Sequence, residues 1–159
     1  MKTSQKGINL IKSFEGCELQ SYKCPAGIWT IGYGYTSGIR AGMKITLREA
    51  ENLLEIALKE FENCILKLVK VDLTQNEFDS LVSWTYNLGC GSLRKSTMLK
   101  YLNANNKDLV PAEMLKWNKA GGRVLKGLIR RREAEAVLFA QAEAFEGVDI
   151  DKPNSNKAL

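Results

Sequence analysis

Residues 15–34 read Glu15-Gly-Cys-Glu-Leu-Gln-Ser-Tyr-Lys-Cys24-Pro-Ala-Gly-Ile-Trp-Thr30-Ile-Gly-Tyr-Gly34. Tyr22, Ile28, Trp29, Ile31, Tyr33 and Tyr35 are broken by Pro25, Gly27, Gly32, Gly34 and Gly38. Aromatic and β-branched residues punctuated by glycine predict a small, tightly turned antiparallel sheet over Leu19 to Ser37. Before it, Ile8, Ile11 and Phe14 recur at helical spacing and Gly16 follows, which predicts a short amphipathic helix with a glycine stop. After it, Thr46 with Glu49 forms a capping box ahead of an apolar stripe from Leu53 to Val69, a long helix through about Lys70. Thr74 with Glu77 repeats the box before Phe78, Leu81, Val82, Thr85 and Tyr86. Gly89 and Gly91 then read as a break, with shorter helices over Lys95 to Leu102 and Asp108 to Trp117. Gly121 and Gly122 mark a loop, and a last helix carries Leu128, Ala134, Val137, Leu138 and Phe145.

The expected fold is α+β, in one domain spanning 1–159. A β-containing lobe, about 15–45, and a larger helical lobe, about 46–147 together with the first helix, are joined by the long helix. Residues 148–159 read as a loose tail. Two such lobes leave a cleft between them, a natural seat for an extended substrate.

Composition narrows the chemistry. The chain contains no histidine, which removes Ser-His-Asp and Cys-His mechanisms and the usual ligands of a catalytic zinc site. Neither a metal nor a cofactor is expected. A net charge of +5 points to a polyanionic partner or to a solvated surface, and no nucleic-acid fold signature accompanies it. No apolar run reaches the roughly 20 residues needed to span a bilayer, and the charged first twenty residues do not read as a secretory signal. The four cysteines, Cys17, Cys24, Cys64 and Cys90, include no CxxC pair. No disulfide framework is therefore expected, and Cys64 and Cys90 read as small buried hydrophobes.

Glu15 closes the first expected helix, where the macrodipole disfavours an anion. Taken alone it reads as solvated surface. The spacing Glu15-x8-Cys24-x5-Thr30 with Ile31-Gly32-Tyr33-Gly34 after it changes that reading, because it resembles the phage-type lysozymes, the endolysins of glycoside hydrolase family 24. Leu73-Thr-Gln-Asn-Glu-Phe-Asp79 and Tyr86-Asn-Leu-Gly89 resemble that family's central helix and the cleft-lining turn after it. Gly127-Leu-Ile-Arg-Arg-Arg-Glu-Ala-Glu135, leading into Val137-Leu-Phe139, resembles its closing helix. Four ordered motifs are far more specific than any one of them.

The resemblance implies hydrolysis of the β-1,4 bond between N-acetylmuramic acid and N-acetylglucosamine in peptidoglycan, with inversion. A glycosidic oxygen is a poor leaving group at neutral pH and needs a proton from a carboxylic acid, the role implied for Glu15. The Cys24 position would supply a base for water on the opposite sugar face, and the Thr30 hydroxyl would help to hold that water. Arg131 is implied to orient the acid, although a guanidinium beside a carboxyl also favours its ionised form. Tyr33, Gly34, Tyr86, Asn87 and Ser96 are the substrate-binding candidates, while Arg130 and Arg132 read as a solvated helix face. The resemblance further implies a phage or prophage protein, monomeric, made in the host bacterial cytoplasm and released through a holin-formed lesion to reach the wall in the periplasm.

Two departures from the pattern stand out. Tyr35 replaces a common histidine, a substitution read as structural. Cys24 replaces the commoner aspartate and leaves three roles open: a thiolate base, a nucleophile giving retention, or a spectator shaping the pocket. A lytic transglycosylase yielding 1,6-anhydro products is the rival enzyme, and a non-catalytic cell-wall binding module the rival from another class.

Overall fold

Ser4, Thr46 and Thr74 each accept a backbone N–H with the side-chain oxygen and so start the three helices that frame the molecule. In the computed structural model, which describes residues 1–143, these are α1 (Gln5–Glu15), α2 (Leu47–Leu68) and α3 (Gln75–Leu88). Both expected capping boxes are formed. The strands β1 (Glu18–Lys23) and β2 (Trp29–Gly32) pair antiparallel between α1 and α2, with Tyr22 opposite Thr30 and Lys23 opposite Trp29. Residues 43–45 add a third edge, through Ser21 N–H to the Met43 carbonyl and Ile45 N–H to the Leu19 carbonyl, both 2.9 Å. The architecture is α+β, as expected.

α3 is the hub. Every residue from Asn76 to Thr85 is buried, and α1, α2, α4 (Cys90–Lys95) and α7 (Lys126–Ala140) all pack on it. Phe78, Leu81, Val82 and Trp84 fill the centre, and Trp84 meets Trp117 edge to face at 5.2 Å. α1 comes so close to α3 that a Cβ on Gly7 would lie 2.8 Å from Asp79 Cγ. The Asp79 carboxylate accepts from the Ser4 amide at 2.9 Å and from the Ser4 hydroxyl, which ties the start of α1 to the hub.

The remaining helices are finer than the sequence pattern implies. Gly91 does not break the chain: it lies inside α4 (Cys90–Lys95), because an αR conformation there is open to glycine and only Gly89, at φ 90°, makes the turn. α5 (Thr97–Asn103) follows, and a 3₁₀ turn at Lys107–Leu109 leads into α6 (Val110–Leu115). The Gly121-Gly122 loop is the turn of a minimal hairpin, β3 (Lys119–Ala120) with β4 (Arg123–Val124). α7 (Lys126–Ala140) closes the described chain. Val137, expected among its apolar positions, is instead exposed. The helical position at Phe145 and the tail 148–159 lie outside the described residues.

The cysteine reading is corrected. Cys64 of α2 and Cys90 of α4 form a disulfide, with Cα atoms 6.1 Å apart. Spacing alone carries no information on a bridge made across packed helices. Cys17 and Cys24 are free.

Candidate active site

Glu15 is the last residue of α1, and Gly16, at φ 66°, turns the chain into β1 immediately after it. Its Oε1 accepts from Arg131 Nη1 at 2.6 Å, joining the end of α1 to the middle of α7. The Arg131 side chain is 4 % exposed and that of Glu15 is 20 %. The second oxygen, Oε2, faces the turn after β2: a Cβ on Gly34 would lie 3.4 Å from it. One carboxyl oxygen is thus clamped by Arg131, and the other lies on the Gly34 side. A cleft of 560 Å³ is lined here by Ser13, Glu15, Asn87, Leu125, Leu128 and Arg131. A second hollow of 290 Å³ lies on the Gly34 side, between Tyr35, Ile56, Phe61 and Tyr86. Tyr35 therefore borders this hollow rather than serving only the strand behind it.

The glycine turn is dictated locally. Ile31 and Tyr35 exchange two backbone hydrogen bonds of 2.9 Å across Gly32 (φ 62°) and Gly34 (φ 86°), a reversal that L side chains resist. The Tyr33 ring points inward and is buried, with Lys12 Nζ 5.4 Å from its centre. Its backbone carbonyl accepts from the Tyr86 hydroxyl at 2.5 Å. Tyr86 stands edge to face with Phe61 at 5.2 Å, and burial pushes its phenol well above the usual range. Tyr33 thus lines neither hollow, whereas Asn87 lines the cleft beside Glu15, and Gly34 and Tyr86 line the second hollow.

Cys24 lies at the mouth of the β1–β2 turn, where its N–H donates to the Ile28 carbonyl at 3.0 Å and its carbonyl accepts from Gly27 at 2.8 Å. The Ile28 amide, and after it the Ala26 amide and the Thr30 hydroxyl, hold the thiol below its ordinary value against the smaller opposing effect of burial. Amide N–H groups directed at a sulfur stabilise the thiolate. Thr30 is buried, and its hydroxyl donates to the Ile28 carbonyl at 3.0 Å. The Lys23 ammonium sits over Trp29, 5.4 Å from the ring centre, and is not among the groups that shift the thiol.

Ser96 stands apart from the site. It is buried, and its hydroxyl caps α5, accepting from the Leu99 amide at 3.1 Å and donating to the Leu93 carbonyl at 2.8 Å. The geometry gives it no face on the cleft. The reading of Arg132 as solvated is also corrected, because it is wholly buried, whereas Arg130 is exposed.

Behind Arg131 lies Glu135, which the closing-helix motif contains but to which the sequence reading gives no role. The Glu135 side chain is 0 % exposed, and its Oε1 accepts from Ser83 Oγ at 2.7 Å, Arg131 Nε at 3.1 Å and Arg132 Nη2 at 3.2 Å. Oε2 lies 2.8 Å from Arg132 Nε, a charge contact in which the N–H is poorly aimed. Burial pushes the Glu135 carboxyl up, opposed by Arg132 and Arg131, and pushes the Arg132 guanidinium down, opposed by Glu135. The signal that could have found it is spacing: Glu135 follows Arg131 by four residues and Arg132 by three, which places all three on one helix face.

The family model described as phage lysozyme matches residues 12–135. The chain belongs to the phage lysozyme family. Among its relatives, the endolysin of Bacillus phage B103 is 47% identical over 161 residues, a match that takes in 99% of this chain and 61% of that protein. The chain thus spans about three-fifths of the length of that relative. Among solved structures, the muramidase domain of SpmX from Asticaccaulis excentricus superposes with a TM-score of 0.84 at 38% identity, over 89% of this chain and 99% of that one. The endolysin from Escherichia coli O157:H7 phage FAHEc1 gives 0.81 at 42% identity, over 88% and 94%. The lysozyme-like fold follows from these likenesses, and the family match begins within α1 and ends at Glu135. Among the described residues no helix is long and apolar enough to cross a membrane.

Proposed function

We propose that this chain is the muramidase unit of an endolysin, hydrolysing the β-1,4 bond between N-acetylmuramic acid and N-acetylglucosamine with Glu15 as the general acid. The observation that carries this reading is the half-clamped carboxyl of a residue that lines the cleft: Arg131 holds Oε1 at 2.6 Å while Oε2 lies on the Gly34 side. A proton on Oε2 passes to the glycosidic oxygen as the C1–O bond breaks. A water then adds to C1 from the other sugar face and gives its proton to Cys24, with the amides of Ile28 and Ala26 favouring the thiolate. The products are two glycan fragments, one of which carries a new reducing end with inverted anomeric configuration. Asn87 and the backbone around Gly34 form the bed for the N-acetyl sugars.

The physiological part of the proposal is a monomer made in the bacterial cytoplasm and released to the wall through a holin lesion. Co-expression with and without a holin tests it: lysis without the holin would remove that dependence. The chemistry is tested by digesting purified sacculi with the parent and with Glu15→Gln, Cys24→Ala and Cys24→Asp. Hydrolysed, inverted products from the parent and none from Glu15→Gln are expected. Products lighter by one water would be 1,6-anhydro sugars, and a transglycosylase would replace the hydrolase. Wall binding without any bond cleavage by a folded parent would leave a binding module.

A further inference from the structure

We propose that Glu135 is a positioning residue whose single carboxylate holds Arg131 against Glu15 and Arg132 against Asn87. The inference rests on the muramidase reading above and extends it to a group that touches neither the cleft nor the substrate. Its Oε1 gathers three donors at once, Ser83 Oγ, Arg131 Nε and Arg132 Nη2. From that point the two guanidiniums diverge. Arg131 extends Nη1 to Glu15 Oε1 at 2.6 Å and Nη2 to the Ser83 carbonyl at 3.3 Å. Arg132 extends Nη2 to Asn87 Oδ1 at 2.9 Å and Nη1 to the Trp117 carbonyl at 3.5 Å.

Each branch fixes a different functional atom. Arg131, with Phe14 stacked 5.6 Å from its guanidinium carbon, fixes which oxygen of Glu15 is occupied and so which one faces the sugar. Arg132 occupies the amide oxygen of Asn87, and the Asn87 NH₂ is thereby left for an acceptor in the cleft, such as the carbonyl oxygen of an N-acetyl group. The acid and the binding amide share one buried support.

Burying two guanidiniums and a carboxylate is costly, and an apolar cluster of the same volume is often as stable or more so. Stability therefore does not account for the cluster, whereas orientation does. A planar guanidinium with two of its edges fixed cannot swing, which an apolar side chain or a lysine would not achieve.

The test compares Glu135→Gln, Ser83→Ala, Arg131→Gln and Arg132→Gln on a soluble peptidoglycan fragment, with Arg Nε–H signals read by NMR on the same samples. Glu135→Gln is expected to lower kcat about 10- to 100-fold by misplacing Glu15, and to raise KM about three- to tenfold by freeing Asn87. Arg132→Gln should raise KM with kcat changed by less than about twofold. Adding Glu135→Gln to Arg131→Gln should cost no further kcat, because the carboxylate acts on Glu15 only through that arginine.

Ser83→Ala removes one hydrogen bond and retains the charges, so it remains informative if Glu135→Gln fails to fold. It should reduce kcat about two- to fivefold. A folded Glu135→Gln or Ser83→Ala with parental kcat and KM would overturn the proposal, as would additive losses in the double variant. The Arg131 Nε–H signal reports on the guanidinium independently of turnover. Slow exchange with solvent in the parent and fast exchange in Glu135→Gln support positioning even if sacculi are never cut, and equal exchange in both refutes it.

Discussion

A carboxylate at position 24 would be ionised at neutral pH without help, whereas a thiol needs an environment that favours its anion. The β1–β2 turn supplies one, because the backbone amides of Ile28 and Ala26 hold the thiol below its ordinary value. The sign of the effect fixes a prediction. A base works when it has lost its proton, so kcat/KM rises with pH through the pKa of that base, and a lowered pKa extends activity toward acid. The acid limb of the parent is expected below the ordinary thiol range of about 8–9. In Cys24→Asp the limb should fall to about 4, and Cys24→Ala should lose about 100-fold or more in rate. Rate profiles from pH 4 to 9 decide the matter: coincident acid limbs in the parent and Cys24→Asp would remove Cys24 as the base. The placement of Cys24 at a hairpin turn is legible in the Pro25-Ala26-Gly27 that follows it. The influence of those two amides is not, since it depends on the backbone path of the turn and not on which side chains are present.

Helices carry the groups of the proposed site to one another, and the closeness of α1 to α3 sets where Glu15 ends. Gly7 makes that approach possible. A methyl there would meet Thr3 Cγ2 at 2.7 Å and Asp79 Cβ at 2.9 Å, and the Asp79 side chain cannot retreat while it holds Ser4. Alanine improves helix propensity by about 0.5–1 kcal/mol, but overpacking of this kind costs about 1–3 kcal/mol, so the clash wins. Gly7→Ala is expected to melt lower than the parent and to lose activity as α1 shifts Glu15 against Arg131. Gly91→Ala, where a Cβ meets nothing within 4 Å, is the control and should be neutral or slightly stabilising. Equal melting temperatures for the two variants would show that the contact yields without strain. At this scale the sequence is informative wherever one residue type has one common use: both capping boxes start the helices they announce. It misleads where a residue type has two uses. Gly91 reads as a break but sits in α4, and Arg132 reads as surface but lies buried against Glu135 and Asn87. Hydropathy places arginine outside by default, and only its partners on α3 and α7 reverse that.

Across the whole molecule, the Cys64–Cys90 bridge closes a loop of 26 residues that contains the entire hub helix α3. Chain entropy predicts that such a cross-link stabilises by about 3 kcal/mol, chiefly by restricting the unfolded chain. For a chain of this size that corresponds to roughly 6–12 °C in melting temperature. The proposed catalytic geometry lies elsewhere: Glu15, Arg131 and Glu135 are joined through α1, α3 and α7, and neither sulfur lines the cleft beside Glu15. Stability and activity should therefore separate. Reduction of the parent, or replacement of both cysteines by serine, is expected to lower the melting temperature by that amount while leaving kcat at 25 °C within about twofold. Reductant should have no effect on the melting of the double-serine variant, which excludes an action through Cys17 or Cys24. A loss of kcat in proportion to the loss of stability would mean that the bridge helps to shape the cleft. In that event α2 and α4 would be part of the device that holds Tyr86 and Phe61 in place, and the hub could not be treated as a rigid support for the acid.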